Sequence, residues 1–281
     1  MKKISVTGAI LLVIGFALVI FAMTTSDNPF DISKAREEKN YTFEVDDING
    51  GIYIDEKSAD ISISLSTDDQ IHLKTFENEE DYYEITNNHD LTIAYQRELK
   101  WFQKIIDLSI IGNELKYTLE LSVPEELITN IKIDATNGQL TIDDITVQAL
   151  AIAKTNGNVS INNIISIKDI DIDTSNGDIE LNHVNAKEEL EIHSTNGSIK
   201  LNSTDFGDLA FIETENGDVI AYFDDHGDNY TFDISSVNKK NSIEYGHVDK
   251  KGKSIIYGNG DKLFIVDTTN GKVQVTCEPA H

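Results

Sequence analysis

Asn-Gly pairs recur at Asn137-Gly138, Asn156-Gly157, Asn176-Gly177, Asn196-Gly197 and Asn216-Gly217, at intervals of 19, 20, 20 and 20 residues. A fixed period of this length marks a repeat architecture, in which each unit buries its apolar face only against its neighbours. The flanks keep the same register. Six residues before each Asn stand Ile131, Leu150, Ile170, Leu190 and Ala210, and four before stand Ile133, Ile152, Ile172, Ile192 and Ile212. Three residues after stand Leu140, Val159, Ile179, Ile199 and Val219, and five after stand Ile142, Ile161, Leu181, Leu201 and Ala221. Each flank alternates apolar with polar, the pattern of a half-buried strand. The Asn and Gly between them tolerate positive φ, which a sharp corner demands. Two outlying pairs share the pattern: Asn270-Gly271, flanked by Phe264, Val266, Val273 and Val275, and Asn49-Gly50, with Phe43 and Val45 before and Ile52 and Ile54 after.

Two architectures fit this unit. Asn-Gly between alternating strands is the strongest short hairpin signal, so a sandwich of hairpins is one. The other is a stacked solenoid with one Asn-Gly corner per coil, which the near-constant period favours because stacked coils place like residues above one another. The fold expected is all-β: a stacked, solenoid-like repeat of about 20 residues per coil following an N-terminal transmembrane helix. In that stack Asn137, Asn156, Asn176, Asn196 and Asn216 form a column whose amides can hydrogen-bond from coil to coil.

Residues 56–125 carry no clear copy of the unit but still read as strands, at 61–65, 71–73, 91–95 and 117–123, the last ended by Pro124. Residues 235–260 read as a degenerate or expanded unit that holds Lys239, Lys240, Lys250, Lys251 and Lys253. The apolar stretch around Trp101-Phe102 and Ile105–Ile111 reads as a cover for one open end of the stack, since bare strand edges invite aggregation.

The N-terminus sets the expected compartment. Lys2 and Lys3 precede an apolar run from Ile4 to Met23. Twenty residues rising 1.5 Å each span about 30 Å, the thickness of a bilayer's hydrocarbon. The run is longer than the core of a cleaved signal peptide, and Ala22-Met23-Thr24-Thr25 is a poor cleavage site. Residues 1–24 are therefore read as a signal anchor, 25–40 as a juxtamembrane linker and 41–281 as the β-repeat domain. The lysines favour a cytoplasmic N-terminus, a single pass through the cell membrane and an extracytoplasmic C-terminal domain.

Charge narrows the partners. The chain has 49 Asp and Glu against 23 Lys and Arg, a formal net charge of -26. Nucleic acid and anionic lipid surfaces repel such a protein. The single cysteine, Cys277, excludes an internal disulfide and a cysteine-based zinc site.

No catalytic or cofactor motif emerges. The seven histidines form no His-x-x-x-His pattern, and although His183 and His193 could approach across coils, both occupy polar positions of the repeat. The densest group of oxygen donors is Asp224-Asp225-His226-Gly227-Asp228-Asn229, where Asp224, Asp225 and Asp228 are the candidates for a calcium ion, without an EF-hand loop around them. Acid pairs such as Asp143-Asp144 leave a polysaccharide-acting enzyme as a remote alternative. No Gly-x-Ser-x-Gly elbow or P-loop is present.

The pattern Leu-x-Ile-x-x-Thr-Asn-Gly-x-Ile-x-Leu, repeated after the strand end Ser122-Val123-Pro124, resembles the bacterial "putative adhesin" domain, also called Toastrack, carried by LiaG-like membrane proteins of Gram-positive bacteria. The resemblance covers roughly residues 41–276. It implies an all-β stacked fold, an extracytoplasmic position and a link to adhesion or envelope stress, and it carries no catalytic residue. The function expected is a non-enzymatic, membrane-anchored binding or structural module at the cell envelope, whose partner is an envelope protein or cell-wall component. An accessory regulator of envelope-stress signalling is the alternative.

Overall fold

The structure is a computed structural model that describes residues 36–98, 117–224, 229–245 and 248–277. The expected anchor, most of the expected linker, the Trp101-Phe102 stretch, Asp225 and Asp228 lie outside the described residues. Among the described residues, no helix is long and apolar enough to cross a membrane.

Period-2 alternation becomes strand wherever it occurs. One coil comprises Ala149–Asn156, Val159–Asn162 and Ile165–Ser166. The next comprises Ile170–Asn176, Ile179–Asn182 and Asn185–Ala186, and the one after it Glu189–Asn196, Ile199–Asn202 and Asp205–Phe206. Like strands pair in parallel and in register, Leu150 with Ile131 and Ile170, Val159 with Leu140 and Ile179. Hairpins would have made these neighbours antiparallel, so the stacked reading of the repeat is the one the chain adopts. Among the described residues the strands make a 10-stranded sheet on the long side of the coil, a 12-stranded sheet on the short side and a 4-stranded sheet at the closing corner.

The inward columns form one continuous core. Ile133, Ile172, Ile192 and Ile212 from the long side, and Ile142, Ile161, Leu181 and Leu201 from the short side, are all no more than 1% exposed. Complete burial of such side chains stabilises a fold by roughly 1.5–3 kcal/mol each, so the strict apolar register is what holds the coils in line.

The N-terminal end departs from the expected register. Asn49-Gly50 lies inside strand Ile48–Glu56 and makes no corner. Ile52 and Ile54 pair with Ile131 and Ile133, so they precede the first corner where the sequence reading placed them after it. That corner is Lys57-Ser58-Ala59, and Asp60–Leu65 follows it, with Ile61 and Ile63 beside Leu140 and Ile142. Beyond this coil, Thr118–Val123 pairs in parallel with Asp60–Leu65, then Gln70–Glu77 and Glu37–Glu44 add antiparallel. The last of these begins inside the segment read as linker. Asp81–Arg97 extends the long sheet beside Ile48–Glu56.

At the other end, order in space differs from order in sequence. The coil of Leu209–Asn216 and Val219–Phe223 is covered by Lys262–Thr268 and Val273–Cys277. Above these lie Tyr230–Ser236 and Asn241–Tyr245, and the antiparallel strands Val248–Gly252 and Ser254–Gly258 end the two sheets. The chain builds its outermost layers first and returns to fill the gap, which is why the 20-residue spacing fails between Gly217 and Asn270. Aromatic rings fill the core there. Phe206, Phe223, Tyr230, Phe232 and Phe264 pack with ring centroids 4.9–6.3 Å apart.

Candidate functional site

The Asn-Gly corners stand in one column. Asn156 Nδ2 donates to Asn137 Oδ1 at 3.0 Å, Asn176 to Asn156 at 3.0 Å, Asn196 to Asn176 at 3.0 Å and Asn216 to Asn196 at 2.9 Å. The ladder continues out of sequence order. Asn270 donates to Asn216 and Asn238 donates to Asn270, both at 2.6 Å, while at the far end Asn137 donates to the Lys57 carbonyl at 3.0 Å. Asn238 escaped the sequence reading because no glycine follows it. Gly138, Gly157, Gly177 and Gly197 take φ of +87°, +97°, +133° and +145°. None of the asparagines in this ladder takes a positive φ, so the amide is present for the ladder and the glycine for the backbone. A Cβ on Gly177 would lie 2.3 Å from the Gly157 carbonyl oxygen, and one on Gly217 would lie 1.8 Å from that of Gly197.

A second corner follows seven residues after each Asn. There Asp144, Asn163, His183 and Ser203 hold φ between +52° and +58°. Beside them runs another ladder, in which Asn162 donates to Asp143 at 2.7 Å, Asn182 to Asn162 at 2.8 Å and Asn202 to Asn182 at 2.6 Å. The 20-residue spacing of Asn162, Asn182 and Asn202 was a visible signal for it. His183 belongs to this corner and His193 to the long face, so the repeat keeps the two in separate columns. Of the calcium candidates, Asp224 accepts a 2.8 Å hydrogen bond from Ser203 Oγ at the end of the corner column. Among the described residues no three His, Cys, Asp or Glu side chains converge to hold a metal ion.

Just inside the Asn-Gly column runs a buried polar file. Register places Glu56, Ala135, Lys154, Thr174, Ser194, Thr214, Thr268 and Ser236 on successive layers. Glu56 is fully buried. Its Oε1 accepts from the backbone N–H groups of Lys57, Ser58 and Ala59 at 2.8, 2.8 and 2.9 Å, and its Oε2 accepts from the Tyr83 hydroxyl. The carboxylate thus builds the first corner, which has no Asn-Gly of its own. Burial and the neighbouring charge of Glu56 push the Tyr83 phenol far above its ordinary range. Lys154 reaches over the small Ala135 layer to the Asn137 carbonyl at 3.3 Å. Burial pushes its ammonium down from 10.5 to about 8, against the pull of Asp60 and Glu56.

The outward side of the long sheet carries the variable chemistry. Along one column stand Lys132, Ala151, Asp171, Glu191, Phe211 and Ile265, and two residues on stand Asp134, Ala153, Asp173, His193, Glu213 and Asp267. Ala153 floors a dent walled by Asp134 and Asp173 and lined further by Lys57, Lys154, Thr155 and Ser175. The two carboxylate-bearing rungs are two strand spacings apart, about 9–10 Å. Next to the dent, loss of water around its carboxyl and then the negative charge of Glu191 raise the pKa of Asp171 above its ordinary value. His193 lies between Glu191, 2.8 Å from Nε2, and Glu213, 3.3 Å from Nδ1, with its ring against Phe211. Partial burial favours the neutral imidazole, but the hydrogen bonds and charges of the two glutamates outweigh it and raise the pKa. Chemically, the face offers fixed negative charge around small-residue relief, shading into apolar side chains at Phe211 and Ile265.

Comparison with known proteins places this geometry. No curated protein matches the chain. Among solved structures, a "putative adhesin" from Bacteroides fragilis is 15% identical, with a TM-score of 0.46 over 85% of this chain and 97% of that one. A "putative cell adhesion protein" from Clostridium sporogenes is 14% identical, with a TM-score of 0.37 over 87% and 100%. A "putative lipid binding protein" from Parabacteroides distasonis is 15% identical, with a TM-score of 0.33 over 86% and 97%. The model of the Toastrack DUF4097 family matches residues 50–240 and, in a second placement, 127–276. These matches take in the Asn-Gly column from Asn137 to Gly271 together with the coil on which it is founded, and the chain belongs to the Toastrack DUF4097 family.

Proposed function

We propose that the chain is a non-enzymatic binding module of the cell envelope. In this reading residues 4–23 anchor it in the membrane, the stack stands outside the cytoplasm, and the outward long face engages an envelope protein or cell-wall component that carries positive charge. One observation supports this most. The repeat holds the inward columns almost wholly to Ile, Leu, Val and Ala and the first corner to Asn-Gly, while the outward column changes at every layer from Lys132 through Ala151, Asp171 and Glu191 to Phe211. Side chains that stacking does not constrain are the ones free to carry recognition. The dent over Ala153 suits an ammonium or guanidinium group, which the two flanking carboxylates would hold by charge-assisted hydrogen bonds.

The test uses the full chain in mild detergent, immobilised and exposed to envelope extract. Ala153→Arg fills the dent with a like-charged competitor of the partner, and Ser160→Arg adds the same charge on the short face. The reading expects a component retained by the parent chain and by Ser160→Arg but released by Ala153→Arg. Retention that ignores Ala153→Arg, or no retained component at all, contradicts it.

A further inference from the structure

The charge of the molecule reverses at one end. Residues 237–254 hold five lysines against two acids in a chain whose acids outnumber its bases by 49 to 23. Lys239, Lys240, Lys251 and Lys253 are exposed. They sit at the last layers of the short sheet, whose 12 strands put that end about 50 Å from the first strand, Glu37–Glu44.

We propose that this end is a docking site for an anionic polymer, a chain of repeating phosphate groups. Three features support the assignment. First, the turn that presents the lysines is fixed before any ligand arrives. Val237 and Asn238 N–H groups donate to the Thr268 and Thr269 carbonyls at 3.1 and 3.0 Å, and Lys239 N–H donates to Ser236 Oγ at 3.1 Å. The Asn238 amide is tied to the end of the asparagine ladder. Second, the lysines are gathered at one place. Gly252 pairs with Asn241 and Lys251 with Ser242 in antiparallel register, which brings the strand that carries Lys251 and leads to Lys253 alongside the strand that Lys239 and Lys240 lead into. Third, among the described residues Lys239, Lys240 and Lys253 make no ion pair with a carboxylate, and Lys253 Nζ instead donates to the Val237 carbonyl at 2.6 Å. Guarding an open strand edge accounts for lysines on the terminal strands. It does not account for Lys239 and Lys240, which precede Asn241 in the layer beneath.

A polymer fits better than a small anion because the four lysines are spread along the chain, two in the turn before Asn241 and two around the end of the neighbouring strand. This surface is separate from the long-face dent, and its test does not depend on that reading.

The experiment titrates the full chain, in mild detergent, with long-chain inorganic polyphosphate. Binding through four lysines should weaken roughly 50-fold between about 50 and 200 mM salt, as release of counterions requires. Replacing Lys239, Lys240, Lys251 and Lys253 together by Gln should reduce affinity at low salt by at least about tenfold. Replacing Lys74, Lys168, Lys187 and Lys200 by Gln removes equal charge from the body of the stack and should leave affinity within about twofold. If the first variant unfolds at a lower temperature than its parent, the pair Lys239→Gln and Lys240→Gln, confined to the turn, is measured in its place and should still weaken binding. Absence of binding at low salt, equal loss in the end and body variants, or binding of phosphatidylglycerol vesicles without binding of polyphosphate overturns the proposal. So does an end variant that abolishes only self-association of the chain.

Discussion

Replacing Asn176 and Asn196 together by Ala tests whether the asparagine column stabilises the stack. The pair takes part in three rungs of the ladder: Asn176 to Asn156 at 3.0 Å, Asn196 to Asn176 at 3.0 Å and Asn216 to Asn196 at 2.9 Å. Each amide hydrogen bond contributes about 0.5–1.5 kcal/mol net. The column is solvent-exposed, so water takes up part of the bonding after truncation and the loss belongs in the lower part of that range. Three rungs then sum to about 1.5–3 kcal/mol, and a chain of this size loses about 2–4 °C in Tm per kcal/mol. The double variant should melt roughly 4–10 °C below its parent, followed by far-ultraviolet circular dichroism. Thr155→Ala with Thr195→Ala, exposed neighbours in the same corners without a ladder bond, is the control and should change stability by no more than about 0.5 kcal/mol. A double asparagine variant that melts within about 1 °C of its parent, or no lower than the threonine control, refutes the reasoning.

Three further outcomes follow from other parts of the stack. Gly177→Ala forces a Cβ to within 2.3 Å of the Gly157 carbonyl at φ +133°, and urea unfolding should record a loss of about 3 kcal/mol or more. Glu56→Ala strands the buried Ala59 N–H, the part-buried N–H groups of Lys57 and Ser58, and the Tyr83 hydroxyl; a loss of roughly 3–5 kcal/mol is expected, with the N-terminal strands losing hydrogen-exchange protection first. His193 has a raised pKa in the folded chain, so its contribution to stability is complete below the ordinary imidazole value and fades as pH rises through the folded one. Stability of the parent relative to His193→Gln, measured across that interval, should therefore fall with rising pH, and a flat difference contradicts the assignment.

The middle of the fold was legible because its residues repeat. Ile152, Ile172 and Ile192 face inward on successive layers for the same reason, and any one of them predicts the others. The ends were not legible because each solves a different problem once. Glu56 performs with a carboxylate what Asn-Gly performs elsewhere, and nothing in its local sequence announces that role. Asn49-Gly50 carried the right letters in the wrong register, since matching flanks of alternating apolar residues fit a strand on either side of a corner. The return of Lys262–Cys277 between two earlier layers is a pairing made at long range, where the ring of Phe264 packs against that of Phe232. For the candidate site, periodicity distinguished inward from outward positions correctly. The dent over Ala153 stayed hidden because it arises from residues 19 and 20 positions away, Asp134 and Asp173, whose proximity exists only in the stack.

A single ladder runs through the stack, and the last coil in sequence occupies a place inside it. Cysteine pairs test this most directly, introduced with Cys277→Ser to leave no other thiol. Asn216 and Asn270 share a rung of the ladder, where the chain leaves parallel strands about 4.8 Å apart, within the span of a disulfide. Asn216 and Asn238 are two layers apart, about 9–10 Å, beyond that span. Rapid oxidation is expected of the pair Asn216→Cys with Asn270→Cys in the folded chain, and none of Asn216→Cys with Asn238→Cys. Rapid oxidation of the second pair, or failure of the first, contradicts this arrangement.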